Sequence, residues 1–141
     1  MIRKARKNDF KSIYLLINQL KQTTFIESKF QETFSDIIDD NDKMFYVFED
    51  NNQIKGFISC YIKKTLHHNG ISGEIIELVV LKEFQGQGIG SKLLVFIEEL
   101  AHKKGFLEIE LSSGKLRTDA HCFYQQHGFI NDHFNLIKKL C

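Results

Sequence analysis

A chain of 141 residues is the size of one domain and can bury a core without disulfides or a structural metal. It is 43% hydrophobic and 26% charged, with a net charge of +1 and Lys and Arg scattered among Asp and Glu. That pattern offers neither the basic face of a nucleic-acid binder nor the basic amphipathic helix of a membrane-surface protein, and no apolar run approaches a membrane span.

Residues 2–6 read as a short first strand. Asn8 is the expected N-cap of a helix carrying Phe10, Ile13, Tyr14, Ile17 and Leu20 at helical spacing. A second helix carries Phe30, Phe34, Ile37 and Ile38 and ends in the polar run Asp39-Asp40-Asn41-Asp42. Met44 to Glu49 and Ile54 to Ile62 flank the turn signal Asp50-Asn51-Asn52, which predicts an antiparallel hairpin. After the polar loop His67-His68-Asn69-Gly70, Glu74 to Leu81 is largely apolar, as a strand near the centre of a sheet should be. Ile89 to Lys104 presents a stripe of Leu93, Leu94, Ile97 and Leu100, closed by Gly105. Leu107 to Leu111 alternates like a half-buried strand, Asp119 to His127 is a short helix stopped by Gly128, and Phe129 to Lys138 is the predicted final strand.

No proline occurs, and no linker, repeat or low-complexity stretch divides residues 1–141, so a single domain is expected. The order of elements implies an α/β (α+β) fold with one mixed, mainly antiparallel sheet of about six strands and about four flanking helices. Thirteen Phe and no Trp point to a Phe-rich core. Cys60, Cys122 and Cys141 are odd in number and form no C-x-x-C pair, so free thiols in a reducing cytoplasm are expected. The N-terminus lacks the apolar stretch of a signal peptide, which agrees with a cytoplasmic location.

The segment richest in chemistry is Gln85-Gly86-Gln87-Gly88-Ile89-Gly90-Ser91, between a buried strand and a helix. A helix start carries unpaired N–H groups and a positive dipole end, and glycines let that backbone approach a ligand closely. This is an anion cradle suited to a pyrophosphate. A P-loop is excluded because Ser91-Lys92 stands in reverse order at the wrong spacing. A dinucleotide fingerprint is excluded because Gly86, Gly88 and Gly90 alternate and a hairpin, not a βαβ unit, lies upstream. What fits is Gln-x-x-Gly-x-Gly, filled by Gln85, Gly88 and Gly90. Downstream, Ala120-His121-Cys122-Phe123-Tyr124 and Gly128-Phe129 form an Ala-x-x-Phe-Tyr-x-x-x-Gly-Phe segment.

The two motifs together resemble the GCN5-related N-acetyltransferases, and the likeness runs from Ile2 to Lys138. The resemblance implies an opening between two central strands that takes the pantetheine arm of acetyl-CoA, the co-substrate. Backbone groups of Val79 and Val80 would bond that arm, with Leu78 also among the cofactor-binding residues, and the turn from Gln85 to Ser91 would hold the pyrophosphate. It also implies that Tyr124 protonates the departing thiolate. Many members carry Asn three residues before the alanine; Arg117 stands there, and it could reach a phosphate or line the acceptor site.

The attacking amine must be neutral, so a base or a desolvated pocket is needed. Glu74 and Glu77 lie on an otherwise apolar strand, a setting that raises a carboxylate pKa. Counting back from the turn, Glu74 matches the position that often holds the family's base, acting through a water. Glu77 is the runner-up, beside the acceptor or in a structural pair. No cysteine stands at a nucleophile position, so direct attack in a ternary complex is expected.

A narrower resemblance to the aminoalkylphosphonate N-acetyltransferases rests on Leu20-Lys21-Gln22, on Leu66-His67-His68 through Gly73-Glu74-Ile75, and on Glu77-Leu78-Val79-Val80. Asp119-Ala120-His121, Phe123-Tyr124 and His133-Phe134 extend it. It implies a small aminoalkylphosphonate as the amine acceptor, with His67 and His68 near the acceptor's way in. A divalent metal goes with some such enzymes; no metal ligand is assigned here. Alternatives are a protein amine, a polyamine or an aminoglycoside as acceptor, or a non-catalytic coenzyme A-binding regulator. No nucleic-acid or membrane partner is expected, and a homodimer is left open.

Overall fold

The computed structural model describes residues 1–113 and 118–141. Its sheet grows outward from the hairpin of β2 (Lys43–Asp50) and β3 (Gln53–Lys64). The two linking residues, Asn51 and Asn52, both have positive φ, 51° and 60°. A two-residue hairpin turn of that kind matches strand twist and favours Asn. β1 (Ile2–Lys4) pairs with β2, and β4 (Ile71–Val80) pairs with β3, all antiparallel. The last strand, β5 (Ile109–Leu111), runs parallel to β4, which gives the order β1-β2-β3-β4-β5. The observed sheet is thus mixed and mainly antiparallel, with five strands among the described residues.

Helices cover both faces. α1 (Phe10–Lys21) and α2 (Glu27–Ile37) lie on one face, where Ile13, Leu16 and Phe34 meet Phe45, Val47, Phe57 and Val79. The expected Phe-rich core is here: the rings of Phe10, Tyr14, Phe30 and Phe34 lie 5.1–5.9 Å apart in stacked, tilted and edge contacts. Such pairs add about 0.5–1.5 kcal/mol each beyond area burial. α3 (Ile89–Lys104) covers the other face, with Leu93, Leu94 and Ile97 fully buried against Ile58, Cys60 and Ile75. The short α4 (Thr118–Gln126) adds Phe123 and Tyr124 to that second core.

Two expectations are corrected. Asn8 is not an N-cap: residues Lys7–Asp9 form a 3₁₀ turn. Asp9 is the residue that matters there, accepting hydrogen bonds from the Arg6 backbone at 2.8 Å and from both terminal guanidinium nitrogens of Arg3, whose Nε donates to Glu49. A buried carboxylate needs such partners, and β1 supplies Arg3. The strand predicted over Phe129–Lys138 does not form; residues 129–141 have no regular structure and lie mostly in solvent. A strand needs a neighbour for its backbone groups, and this segment finds none among the described residues.

Candidate active site

β4 and β5 pair only over Gly73–Ile75 and Ile109–Leu111. Beyond that the two strands part, and the β5-facing edge of β4 from Ile76 onward meets no strand among the described residues. Side-chain amides of Gln19 and Gln85 donate to the Val80 carbonyl at 2.9 and 3.1 Å, while the Leu81 N–H bonds Lys55 across to β3. Backbone groups alternate sides along a strand. Leu78 and Val80 therefore turn theirs toward the opening, and Val79 turns its own toward β3. Of the two residues whose backbones were expected at the pantetheine arm, Val80 thus lies on the open side and Val79 on the side of β3.

A register shift in β3–β4 shapes the chemistry. Ser59 lies opposite Glu77 and Cys60 opposite Ile75, so Ile76 is the extra residue of a bulge. Side chains three apart on a regular strand point to opposite faces. The bulge instead puts Glu74, opposite Tyr61, and Glu77, opposite Ser59, on the same face, the one covered by α1 and α2.

The two carboxylates then differ in company. Glu74 pairs with Lys63 at 3.3 Å, and Lys63 also holds Glu110 of β5 at 2.7 Å. Among the described residues no cation lies within ion-pair distance of Glu77. Burial pushes its carboxyl above the usual glutamate range, opposed by the Ser59 hydrogen bond and by the field of Lys21. Ser59 is fully buried. Its hydroxyl oxygen accepts the Glu77 backbone N–H at 3.0 Å, so its own proton is directed at the Glu77 carboxylate.

Where β4 and β5 separate, a cavity of about 440 Å³ opens. Lys21 and Gln22 at the end of α1 line it on one side, Ile76 and Leu78 of β4 form its floor, and Ser113 and Tyr124 close it on the other side. Lys21 is its one charged lining side chain among the described residues. Ser113 Oγ is buried and has no hydrogen-bond partner among the described residues, which costs about 1–3 kcal/mol unless a ligand satisfies it. Gln22 has φ +52°, the left-handed cap that ends α1 at the cavity.

The glycine turn leads into α3 as expected. Gly86 and Gly88 have φ of +80° and +84°, and a Cβ on either would meet nothing within 4 Å. Their need for glycine is thus conformational, and the open space in front is where a ligand would approach. Gln87 is exposed, Ile89 is buried against the sheet, and Gly90 lies 3.6 Å, at its would-be Cβ, from the Phe123 ring. Ser91 Oγ is 3.0 Å from His127 Nε2, tying the start of α3 to the chain just after α4. α4 also carries Tyr124 to the wall of the cavity.

Other expected residues fall elsewhere. The rings of His67 and His68 meet in a tilted contact, centroids 4.4 Å apart, in the β3–β4 loop and line no part of the cavity. His68 instead bridges Thr65 Oγ1 at 2.7 Å and Glu108 at 3.0 Å. Arg117 lies outside the described residues. Among the described residues no three His, Cys, Asp or Glu side chains gather as a metal ion would need. Sequence reasoning missed Ser59, Gln19 and Ser113, and it noted Lys21 only within a resemblance. A buried serine facing a glutamate across a bulge leaves no pattern in the sequence.

A parted parallel strand pair, a glycine turn at a helix start and a tyrosine facing the same opening define an acyltransferase domain built around a thioester substrate. The chain belongs to the acetyltransferase (GNAT) family, whose model matches residues 3–129, and it is an N-acetyltransferase. The family uses acetyl-CoA as co-substrate. The chain is 37% identical to an aminoalkylphosphonate N-acetyltransferase of Salmonella typhimurium over 139 residues, 99% of this chain and 90% of that one. In fold it is similar to a crystal structure titled as a transcriptional regulator of Bacillus halodurans, with TM-score 0.91, 25% identity and 99% of both chains covered. It is also similar to glucosamine-6-phosphate N-acetyltransferase of Arabidopsis thaliana, with TM-score 0.84, 24% identity and 100% and 98% covered. No helix among the described residues is long and apolar enough to cross a membrane.

Proposed function

We propose that the chain acetylates the primary amine of a small acceptor that carries an anionic group, with short aminoalkylphosphonates as the leading class. The observation that carries this reading is Lys21, the one charged side chain among the described residues that line the cavity, whose field reaches the buried Glu77 carboxylate next to the lining residues Ile76 and Leu78. An amine placed toward Glu77 and an anion placed toward Lys21 use opposite ends of one short molecule. The Salmonella relative's name points to the same class.

In this mechanism the pyrophosphate of acetyl-CoA rests on the turn from Gln85 to Ser91, and its pantetheine arm bonds the backbone of Leu78 and the Val80 N–H on the open side of β4. The neutral amine attacks the thioester carbonyl directly. Glu77 accepts the proton the nitrogen loses, the carbon–sulfur bond breaks, and the Tyr124 hydroxyl donates a proton to the departing thiolate. The products are the amide and coenzyme A. Glu77 takes the role of base over Glu74 because Lys63 already holds the Glu74 carboxylate, while burial raises the proton affinity of Glu77.

The test is acetyl-CoA turnover over an amine panel: 2-aminoethylphosphonate, 1-aminoalkylphosphonates, matched amino carboxylates, a polyamine, an aminoglycoside and a peptide N-terminus. Phosphonates should show the highest kcat/KM, and Lys21→Ala should lower it for anionic acceptors more than for uncharged amines. Turnover of polyamine or peptide alone would refute the acceptor class and leave the acetyl transfer standing.

A further inference from the structure

The open edge of β4 has two ends, and a different device closes each. β5 closes one by pairing with Gly73–Ile75. Gln19, in the last turn of α1, closes the other. Its side-chain nitrogen donates to the Val80 carbonyl at 2.9 Å, and its side-chain oxygen accepts the Lys82 backbone N–H at 3.2 Å. In a parallel ladder a residue donates to the residue before its opposite number and accepts from the residue after it. The Gln19 carboxamide meets the backbone in that same pattern, as a residue opposite Leu81 in a parallel strand would. A side-chain amide carries the donor and the acceptor of a peptide group, so it can stand in for one.

The Val80 carbonyl also accepts Gln85 Nε2 at 3.1 Å, which fills both of its lone pairs. What that residue offers a ligand is its N–H. The stretch between the two closures, Ile76 to Val80, is roughly 16 Å long at the rise of a strand. A ligand arm laid along it lies in a slot with two fixed ends. Alternating side chains fix the register of an ordinary strand; an arm without them has no such pattern, so a stop at one end must do that work.

We propose that Gln19 is a positioning residue for the acetyl donor: its carboxamide occupies the next place in the row of strand partners along β4, stops the pantetheine arm at the Val80 N–H, and so sets how far the thioester reaches toward the cavity. The proposal rests on the acetyl-transfer reading above. Gln19 touches no reacting atom; it acts through the backbone of Val80 and Lys82. Its bonds span 61 and 63 residues of chain, from a helix to the end of a strand, which is why no motif in the sequence marks it. A one-place slip of the arm would move the thioester by about 3.3 Å, enough to take it out of reach of the attacking nitrogen.

The experiment uses the full chain and two ligands, acetyl-CoA and adenosine 3′,5′-bisphosphate, which keeps the nucleotide end of the donor and has no arm. Gln19→Met keeps the length of the side chain and removes both bonds. Gln19→Glu keeps an oxygen for the Lys82 N–H and sets a second oxygen against the Val80 carbonyl. Titration calorimetry should show acetyl-CoA binding about tenfold more weakly to Gln19→Met, and at least as weakly to Gln19→Glu, while the bisphosphate binds all three proteins alike. A merely structural role would weaken both ligands together, because a loosened α1 or turn serves neither. Gln19→Met binding acetyl-CoA as the wild type does, or losing the bisphosphate to the same extent, would overturn this proposal alone. A wild type that binds no acetyl-CoA would overturn the acetyl-transfer reading and this proposal with it.

Discussion

Replacing Glu77 by Gln separates a catalytic carboxylate from a structural one. The amide keeps an oxygen that accepts the Ser59 hydroxyl, so the local hydrogen bond survives while the proton acceptor is lost. Removing a general base costs about 10²–10⁴ in rate, or about 2.7–5.5 kcal/mol in transition-state stabilisation. Stability should move the other way. Burial raises the folded-state pKa of Glu77 above its unfolded value. Its contribution to stability is therefore present below the unfolded pKa and is lost as pH rises through the folded one. Above its raised pKa the wild type carries a buried charge that the variant lacks, so at such pH the melting temperature of Glu77→Gln should equal or exceed the wild type's. The wild-type kcat/KM should rise with pH through the raised pKa of Glu77, and Ser59→Ala, which removes the bond that lowers it, should move that limb to higher pH. Glu74→Gln is the control. Its pair with Lys63 is of the partly exposed kind worth about 0–1 kcal/mol, so turnover should stay within about fivefold. Steady-state kinetics from pH 5.5 to 9 and a thermal melt suffice. A Glu77→Gln enzyme within fivefold of wild type, or a Glu74→Gln enzyme with the larger loss, would refute the assignment.

Tyr124→Phe should keep the packing against Phe123 and Phe129 and lower kcat by about 10²-fold with little change in either KM, measured by thiol release. Gly88→Ala meets no steric obstacle but must hold φ near +84°, at a cost of about 1–2 kcal/mol, and should raise the KM for acetyl-CoA more than that for the amine. Gly73→Ala would put a Cβ 2.8 Å from the Phe106 ring and 3.0 Å from Cys60 Sγ, an overpacking worth about 1–3 kcal/mol that should show as a lower melting temperature. Burial alone would raise the Asp9 carboxyl, but its bonds to Arg3 and the Arg6 backbone outweigh that and hold it below the usual range. The stability it supplies is present above the unfolded pKa and is lost as pH falls through the folded one. Asp9→Asn should therefore flatten the loss of melting temperature between pH 4 and pH 2.

Periodicity, turn chemistry and glycine placement are local properties, and they made most of this protein legible from its residues. Asn51-Asn52 marks a hairpin because both sites need positive φ. The apolar stripe before Gly105 marks α3 to its last residue, and the turn from Gln85 to Gly90 with Tyr124 downstream marks the family, whose members use acetyl-CoA. What depends on register was not legible. A one-residue bulge at Ile76 turns Glu74 and Glu77 to one face, and cross-strand neighbours then decide their chemistry: Lys63 neutralises the first, while Ser59 and burial shape the second. The same limit applies to the segment from Phe129 to Lys138. Its alternation marks it as a strand, but a strand exists only beside another, and the fold of one chain leaves it without a neighbour. The sequence by itself determined the elements and the acetyl donor, because those reside in short stretches of chain. Only the tertiary structure decided which carboxylate is held by a cation and which segment lacks a strand partner among the described residues, because both follow from pairings between residues far apart along it.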